Sequence, residues 1–386
     1  MLKAVRAGES IRQVAERFHV SPSQVQFWVK RCRGKRLDRC DVADVRRGPR
    51  APWNRVPPSV EREVLEVRQR LKVDSILGEY GAPAIHQAML HAAVVPVPAV
   101  ATISRILLRR GAVDAVRRQR RPPPPKGWYL PEVARGHAEV DCFDVIVDLK
   151  IETGPWFSVL TAIALLGGQV QAWPREQLGS PGVVQCLLAH WRELGMSTYA
   201  QFDNDTLFQG AHHLPDSLGR VVRVCLLLGV IPVFAPPREP GFQNAVEGFN
   251  ALWQTKVWQR FNFPTFLSLC TQSDAYVRAH RQRNAPRSEA APARTPFPNG
   301  LELDLHQPLR GLIIFLRRTD AYGRITLLGH QWPISTQWIH RLVRCEVNFN
   351  QKQIQFYALR RRDPEDQPLL ATIPYRFPTK RFQGKP

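Results

Sequence analysis

Arg238-Glu-Pro-Gly-Phe-Gln-Asn-Ala-Val-Glu-Gly-Phe-Asn-Ala-Leu-Trp253 runs from a Pro/Gly loop straight into an amphipathic helix. Val246, Phe249, Trp253 and Val257 recur at helical spacing, which predicts a buried stripe. Glu247, Asn250 and Gln254 recur on the neighbouring stripe. One carboxylate is thereby held on a rigid helix beside the sheet that buries the apolar stripe, and its partners must come from that sheet.

Two upstream segments supply candidates at strand ends. Ala138-Glu-Val-Asp-Cys-Phe-Asp-Val-Ile-Val-Asp-Leu149 is rich in β-branched and aromatic residues, and Tyr199-Ala-Gln-Phe-Asp203 is a short apolar run that stops at Asn-Asp-Thr. Asp141 and Asp203 are the natural choices. With Glu247 they make a hard, all-oxygen ligand set that suits Mg²⁺ or Mn²⁺ and not zinc. Asp144, Asp148, Asp205 and Glu239 are spare acids able to replace a misassigned member.

Val-Asp141-Cys-Phe, Phe-Asp203-Asn-Asp-Thr-Leu-Phe208 and Gln-Asn-Ala-Val-Glu247-Gly-Phe-Asn250 together resemble the three acidic motifs of the DDE transposase and retroviral-integrase superfamily. The Gln-Asn-Ala-x-x-Glu form is most similar to bacterial insertion-sequence transposases. Three departures stand out. Asp205 occupies a position where the family usually has Gly, which predicts a left-handed turn there; Gly248 replaces a basic residue; and the Asp203-to-Glu247 interval is longer than usual. The resemblance implies two-metal phosphoryl transfer on DNA, with Asp141 bridging both ions, Asp203 holding one and Glu247 the other. It further implies 3′-end nicking and strand transfer of a mobile element, with Asn204 and Asn250 positioning DNA or the carboxylates. Strand transfer couples two element ends, so a homo-oligomer on double-stranded DNA is expected. The alternative function is a domesticated DNA-binding protein with an inert core; a nuclease of ribonuclease-H type is a third reading, disfavoured by the flanking DNA-binding segments.

Composition agrees with a nucleic-acid partner. The 386 residues hold 54 Lys+Arg against 33 Asp+Glu, a net charge of +21, which suits a polyanion. No run of eighteen apolar residues exists, so no membrane span is expected. Seven scattered cysteines without a Cys-x-x-Cys pattern fit a reduced cytosol, and the resemblance implies a bacterial cytoplasm with the protein at the nucleoid. His86/His91 and His212/His213 lack a matching Cys pair, so no zinc-binding N-terminal domain is expected.

Taken in order, the chain reads as a multidomain protein. Ser10 with Gln13, and Ser21 with Gln24 behind Pro22, form two capping boxes that start the helices of a helix-turn-helix. Ile11, Val14, Ala15 and Phe18 face Val25, Trp28 and Val29, leaving Ser23, Gln24, Gln26, Phe27, Lys30 and Arg31 outward for base edges and phosphates. A basic linker with Arg46, Arg47 and Arg50 follows. A second helical domain carries Arg105, Arg109 and Arg110 toward DNA, and Arg117–Lys126 is a stiff cationic spacer. Next come three strands, then helix, strand, helix, strand, helix, the order of a mixed α/β ribonuclease-H-like core whose first and fourth strands are neighbours. Short alternating segments over 311–360 predict a small C-terminal β-barrel with a DNA platform of Arg317, Arg318, Arg341, Arg344 and Arg360. The resulting division is 1–36 helix-turn-helix, 37–57 basic linker, 58–116 second helical DNA-binding domain, 117–130 basic Pro-rich linker, 131–282 core, 283–308 linker, 309–364 barrel and 365–386 loose tail.

Overall fold

The computed structural model describes residues 1–41, 43, 56–113, 126–211, 214–361 and 363–378. Arg46, Arg47, Arg50, the cationic spacer up to Pro125 and the pair His212/His213 lie outside the described residues. The chain forms two compact units, residues 1–61 and 62–386.

The first unit holds α1 (Leu2–Arg6), α2 (Ile11–Arg17) and α3 (Pro22–Arg31). The capping box at Ser10 is complete, its hydroxyl accepting from the Gln13 N–H while the Gln13 side chain accepts from the Ser10 N–H. At Ser21 only half of the expected box forms: the hydroxyl accepts from Gln24 N–H, and Pro22 fills the first turn. His19 makes the turn at φ 51°. Val14, Ala15 and Val25 are buried, packed by Ile11, Val20 and Val29. Phe18 is 43% exposed, contrary to expectation, because it is the C-cap of α2, where the apolar stripe ends. Arg6 closes the unit by donating to the Cys32 carbonyl at 2.9 Å and the Lys35 carbonyl at 2.7 Å.

The second unit begins within α4 (Pro58–Asp74) and continues through α5 (Ala82–His91) and α6 (Val100–Arg109). Buried Arg68 donates to the carbonyls of Tyr80 and Ala112, both at 2.8 Å, and stacks on the Tyr80 ring. These helices are fastened to the sheet domain by Arg260, which donates to the Val73 carbonyl at 2.9 Å, and by Lys256 on the Gly78 carbonyl at 3.0 Å.

Three antiparallel strands follow the short α7 (Pro131–Ala134): β1 (Val140–Lys150), β2 (Trp156–Ala164) and β3 (Val170–Arg175). Then come α8 (Ser180–Leu194), β4 (Tyr199–Phe202), α9 (Thr206–Gln209), α10 (Arg220–Leu227), β5 (Ile231–Phe234) and α11 (Asn244–Trp253), which a π turn prolongs over Gln254–Trp258. β4 pairs parallel to β1 and β5 parallel to β4, so the first and fourth strands are neighbours as the sequence predicted. Alternation along β1 splits its side chains between two layers. Phe143 joins Trp191, Phe202 and Val221 under α8 and α10, whereas Ile146 joins Phe249, Trp253 and Val257 under α11.

The 283–308 segment is pinned to this core and is no free linker. After α12 (Phe266–Arg283) and α13 (Ala285–Glu289), Arg287 donates to the carbonyls of Leu165 and Leu166, and Thr295 bridges Met196 in both directions. Gly168 sits beneath Arg287 at φ 69°, where a Cβ would come within 2.7 Å of the guanidinium. At the other boundary, Trp128, Tyr129 and Leu130, expected in a spacer, are buried against Phe242 and Val246.

The expected barrel is absent among the described residues. β6 (Leu312–Arg318) adds parallel to β5, and β9 (Leu342–Asn348), β10 (Gln353–Ala358) and β11 (Leu369–Pro374) follow antiparallel. The result is one nine-stranded sheet in the order β11-β10-β9-β6-β5-β4-β1-β2-β3, with β7 (Arg324–Leu327) and β8 (His330–Pro333) as a separate hairpin. The physical reason is the unsatisfied edge of β5: Val233 and Phe234 pair with Ile314 and Phe315, and stacking of Phe234 on Phe315 at 5.1 Å buries the seam. The tail is likewise held, since β11 occupies part of 365–386.

A shared core predicts shared unfolding. Phe315→Ala should cost about 3–5 kcal/mol and shift one thermal transition common to all nine strands of the sheet. Two resolved transitions in calorimetry, with only the smaller shifted, would show that the C-terminal strands fold as an independent module.

Candidate active site

The predicted acids do not all meet. Asp141, at the start of β1, is fully buried on the α8 face and ligated by the protein itself. Arg294 clamps both its oxygens, with one contact at 3.0 Å; Trp191 Nε1 donates to Oδ2 at 3.1 Å, and His190 Nε2 lies 3.2 Å from the same oxygen. Burial alone would raise its pKa, but the charges of His190 and Arg294 hold the carboxyl well below the usual carboxylate range. Both its oxygens are thus engaged by groups of the protein itself, where the bridging role expected of Asp141 would need them open.

Asp144 lies on the other face of the same strand. Residues three apart on a strand face opposite sides of the sheet, so Asp144 emerges on the α11 face. Parallel pairing of Asp141 with Ala200 puts Asp144 level with Asp203, three residues further along both strands. Asn250 of α11 donates Nδ2 to Asp144 Oδ2 at 2.8 Å, and the buried Thr161 hydroxyl lies 2.6 Å from Asn250 Oδ1. Desolvation pushes Asp144 up to about 6, and the negative charges of Asp203 and Glu247 push the same way. Asp144 on β1 thus feels the charge of Asp203 beyond β4 and of Glu247 on α11. Asn250, expected to touch DNA, is the bracket that orients Asp144.

Asp203 follows β4 and is partly buried, which raises its pKa, with the Asp205 charge adding to the rise. Its Oδ1 accepts from the Asp205 N–H at 3.0 Å. Asp205 is not in a left-handed turn. It lies at φ −62°, ψ 145° and caps α9, its carboxylate accepting from the Leu207 N–H at 2.7 Å. Asn204 donates to the Ala235 carbonyl at 2.6 Å and accepts from Arg317, joining β4, β5 and β6 behind the site. Glu247 is exposed on the first turn of α11, one turn before Asn250. Among the described residues no three His, Cys, Asp or Glu side chains stand at metal-ligand spacing, yet the all-oxygen, like-charged donor set is of the kind that takes a hard divalent cation.

The other spare acids are placed elsewhere. Asp148 is exposed in a left-handed conformation at a β1 bulge, and Glu239 pairs with Arg318. Ser23, Gln24, Gln26 and Lys30 are exposed on α3, but Arg31 pairs with Asp41 at 2.7 Å and stacks on Trp28. Arg105 and Arg109 are exposed on α6. Of the predicted Arg platform, Arg344 is buried against Glu346 and Gln367, Arg360 pairs with Asp366, and Arg341 stacks on Trp338.

The helix-turn-helix domain family model matches residues 1–50. No curated protein matches the chain. Among solved structures, a chain of the simian T-cell lymphotropic virus intasome in complex with the PP2A regulatory subunit B56 gamma is 15% identical, covering 69% of this chain and 88% of that one at a TM-score of 0.35. The BIV integrase catalytic core domain is 16% identical over 37% of this chain and 81% of its own, at 0.26. The HTLV-2 integrase catalytic core domain in complex with magnesium is 14% identical over 34% and 81%, also at 0.26. No described helix is long and apolar enough to cross a membrane.

The two buried-acid environments predict opposite responses. Asp141→Asn leaves Arg294 buried without its counter-charge and should cost about 3–5 kcal/mol. Because its folded-state pKa is depressed, the wild-type contribution is present above the unfolded value near 4 and disappears as pH falls. Asp144, raised to about 6, opposes folding above that same unfolded value, so Asp144→Asn should stabilise at neutral pH by on the order of 1 kcal/mol. Denaturant melts at pH 7 giving the reverse order would reject the reassignment. Residues 1–50 thus carry a helix-turn-helix domain, and the sheet of the second unit has its first strand beside its fourth.

Proposed function

We propose that the protein is a DNA transposase or integrase that nicks the 3′ ends of a mobile element and joins them to target DNA. What supports this reading is that Asp144 on β1, level with Asp203 beyond the end of β4, is acted on by the charges of Asp203 and of Glu247 on the first turn of α11. The negative charges of Asp203 and Glu247 that act on Asp144 would be offset by a cation set among them. The three carboxylates would hold two Mg²⁺ or Mn²⁺ ions, which when bound activate the attacking water or 3′-hydroxyl and stabilise the leaving oxygen.

The chain's own residues do the remainder. Asn250, braced by Thr161, keeps the Asp144 carboxylate aimed toward α11. Asp205 ties down Asp203 through the turn that starts α9. Ser23, Gln24, Gln26 and Lys30 present a mixed polar and basic face to the major groove, the arrangement that reads base edges while gripping phosphates. A homo-oligomer bridging two ends follows from the need to couple two cleavage sites, and sedimentation of the complex with end DNA checks it.

A second reading is a domesticated DNA binder with an inert core. Asp205 in place of Gly, and Gly248 in place of a basic residue after Glu247, favour it. Nicking of DNA from either side of the gene under Mg²⁺ or Mn²⁺ decides between the two. Asp144→Asn, Asp203→Asn and Glu247→Gln should each reduce nicking by about 10³-fold or more with DNA binding retained. Mn²⁺ binding followed by electron paramagnetic resonance should fall in the same variants. Tight DNA binding without nicking or Mn²⁺ uptake by the wild type would select the inert binder.

A further inference from the structure

Two thiols meet at the C-terminal end of α3. Cys32 is the C-cap of that helix and is buried, and its carbonyl accepts from Arg6 at 2.9 Å and from the Lys35 N–H at 3.2 Å. The chain leaves through Gly34 at φ 73°, makes one tight helical turn over Leu37–Arg39 and comes back beside α3. Asp41 fixes the return, its Oδ2 lying 2.7 Å from Arg31 Nη2. With residue 41 against residue 31 on a chain that has doubled back, residue 40 falls beside residue 32. The half-buried Cys40 thiol donates to the Arg36 carbonyl at 3.5 Å, and the Cys32 thiol is hydrogen-bonded to Cys40. Sulfurs in such contact meet the first condition for being joined.

Their surroundings single this pair out among the seven cysteines. Burial pushes up the thiols of Cys142, Cys186, Cys225, Cys270 and Cys345, which keeps them protonated and slow to react. Cys32 is raised as well, first by its hydrogen bond to Cys40 and then by burial, while Arg6 and Arg31 pull the other way. A proton kept on Cys32 leaves Cys40 as the attacking sulfur. Cys40 is also the more open of the two. Exposed Arg33, Lys35 and Arg39 flank it along the chain, an electropositive setting that draws an anionic reagent toward the sulfur.

We propose that Cys32 and Cys40 form a reversible disulfide by exchange with a small-molecule disulfide such as glutathione disulfide, and that the bond withholds Arg31 from DNA. In the first step the Cys40 thiolate attacks one sulfur of the reagent, forming a mixed disulfide and expelling one glutathione thiolate. Cys32 then gives up its proton, and its sulfur attacks that of Cys40 and expels the second. One protein S–S bond forms for the reagent S–S bond that breaks, and the two protons end on the two glutathione sulfurs. In the reduced protein Arg31 is held by a carboxylate whose side chain is 67% exposed, the kind of pair that contributes little, so a duplex phosphate competes for the guanidinium. Once Cys40 is bonded to Cys32, the adjacent Asp41 is fixed against Arg31 and the cation stays neutralised. This consequence rests on the DNA-binding role proposed above for α3.

The test holds the full-length protein in glutathione disulfide or in excess reduced glutathione. Thiols are then read by alkylation and tryptic mass spectrometry, and duplex affinity by fluorescence anisotropy. The oxidised wild type should yield a Cys32–Cys40 linked peptide that dithiothreitol removes. Cys32→Ser should instead carry a single glutathione on Cys40, and Cys40→Ser should give no link; melting temperatures of the reduced variants check that each is folded. On a labelled duplex taken from beside the gene, oxidation should weaken wild-type binding and reduce the magnitude of its salt slope by about one. Asp41→Asn should form the same link without that change, which separates withholding of Arg31 from stiffening of the loop. Absence of the link in the folded wild type, or glutathione taken up by the other five cysteines in preference, would overturn the site. A link that leaves the salt slope of duplex binding unchanged would overturn its effect on Arg31. A link in a protein that binds duplex in neither state would sustain the disulfide and remove the DNA-binding reading; redox-independent duplex binding with no link would do the reverse.

Discussion

The parallel pairing of β1 with β4 is the constraint on which the remainder depends. Once Asp141 is opposite Ala200, the amino ends of the two strands are level, β4 stops well short of the end of β1, and every later side chain on β1 is assigned a face by the pleat. One face receives α8 and α10, the other α11. The acid pair Asp141 and Asp144 is divided between them. Asp141 becomes the anion of a buried network with Arg294, His190 and Trp191, while Asp144 meets Asp203 and Glu247.

That buried network ties distant parts of the chain together. Arg294 lies well beyond the last helix of the core, yet its guanidinium reaches back to the first strand and also to the Gly195 carbonyl at the end of α8. A charge buried without a partner is far costlier than a buried pair, so the segment that carries Arg294 cannot detach while Asp141 is ionised. Arg287, on the same segment, satisfies carbonyls at the β2–β3 turn. The C-terminal strands complete this arrangement by covering the β5 edge, which would otherwise present open hydrogen-bonding groups to other chains. Acid chemistry, inter-strand packing and the path of the C-terminal half are therefore parts of one architecture.

Much of this was legible from residues alone, for reasons that are local. The helix starts at Ser10 and Ser21 depend on side chains within three residues of the backbone they cap. The α11 stripe of Val246, Phe249 and Trp253, with Glu247 and Asn250 beside it, follows from helical periodicity. The adjacency of first and fourth strands follows from element order and the resemblance it supports. Asp205 illustrates the margin: its unusual presence was visible, but the N-cap it forms needed the α9 that follows.

What the amino-acid order could not decide is which of two acids on one strand faces the site. Asp141 and Asp144 share the same short β-branched stretch, and choosing between them requires the register against β4 and the knowledge that Arg294, far along the chain, has claimed the first. The same holds for the C-terminal segments. Alternation from Leu312 to Leu359 announces strands, but strand partners are set by whichever edge is open in three dimensions, and here the open edge was β5. Local patterns determined the helices, the strands and the acids they carry; long-range pairing, through burial of charge and closure of a sheet edge, decided which acid is buried with Arg294 and which faces α11.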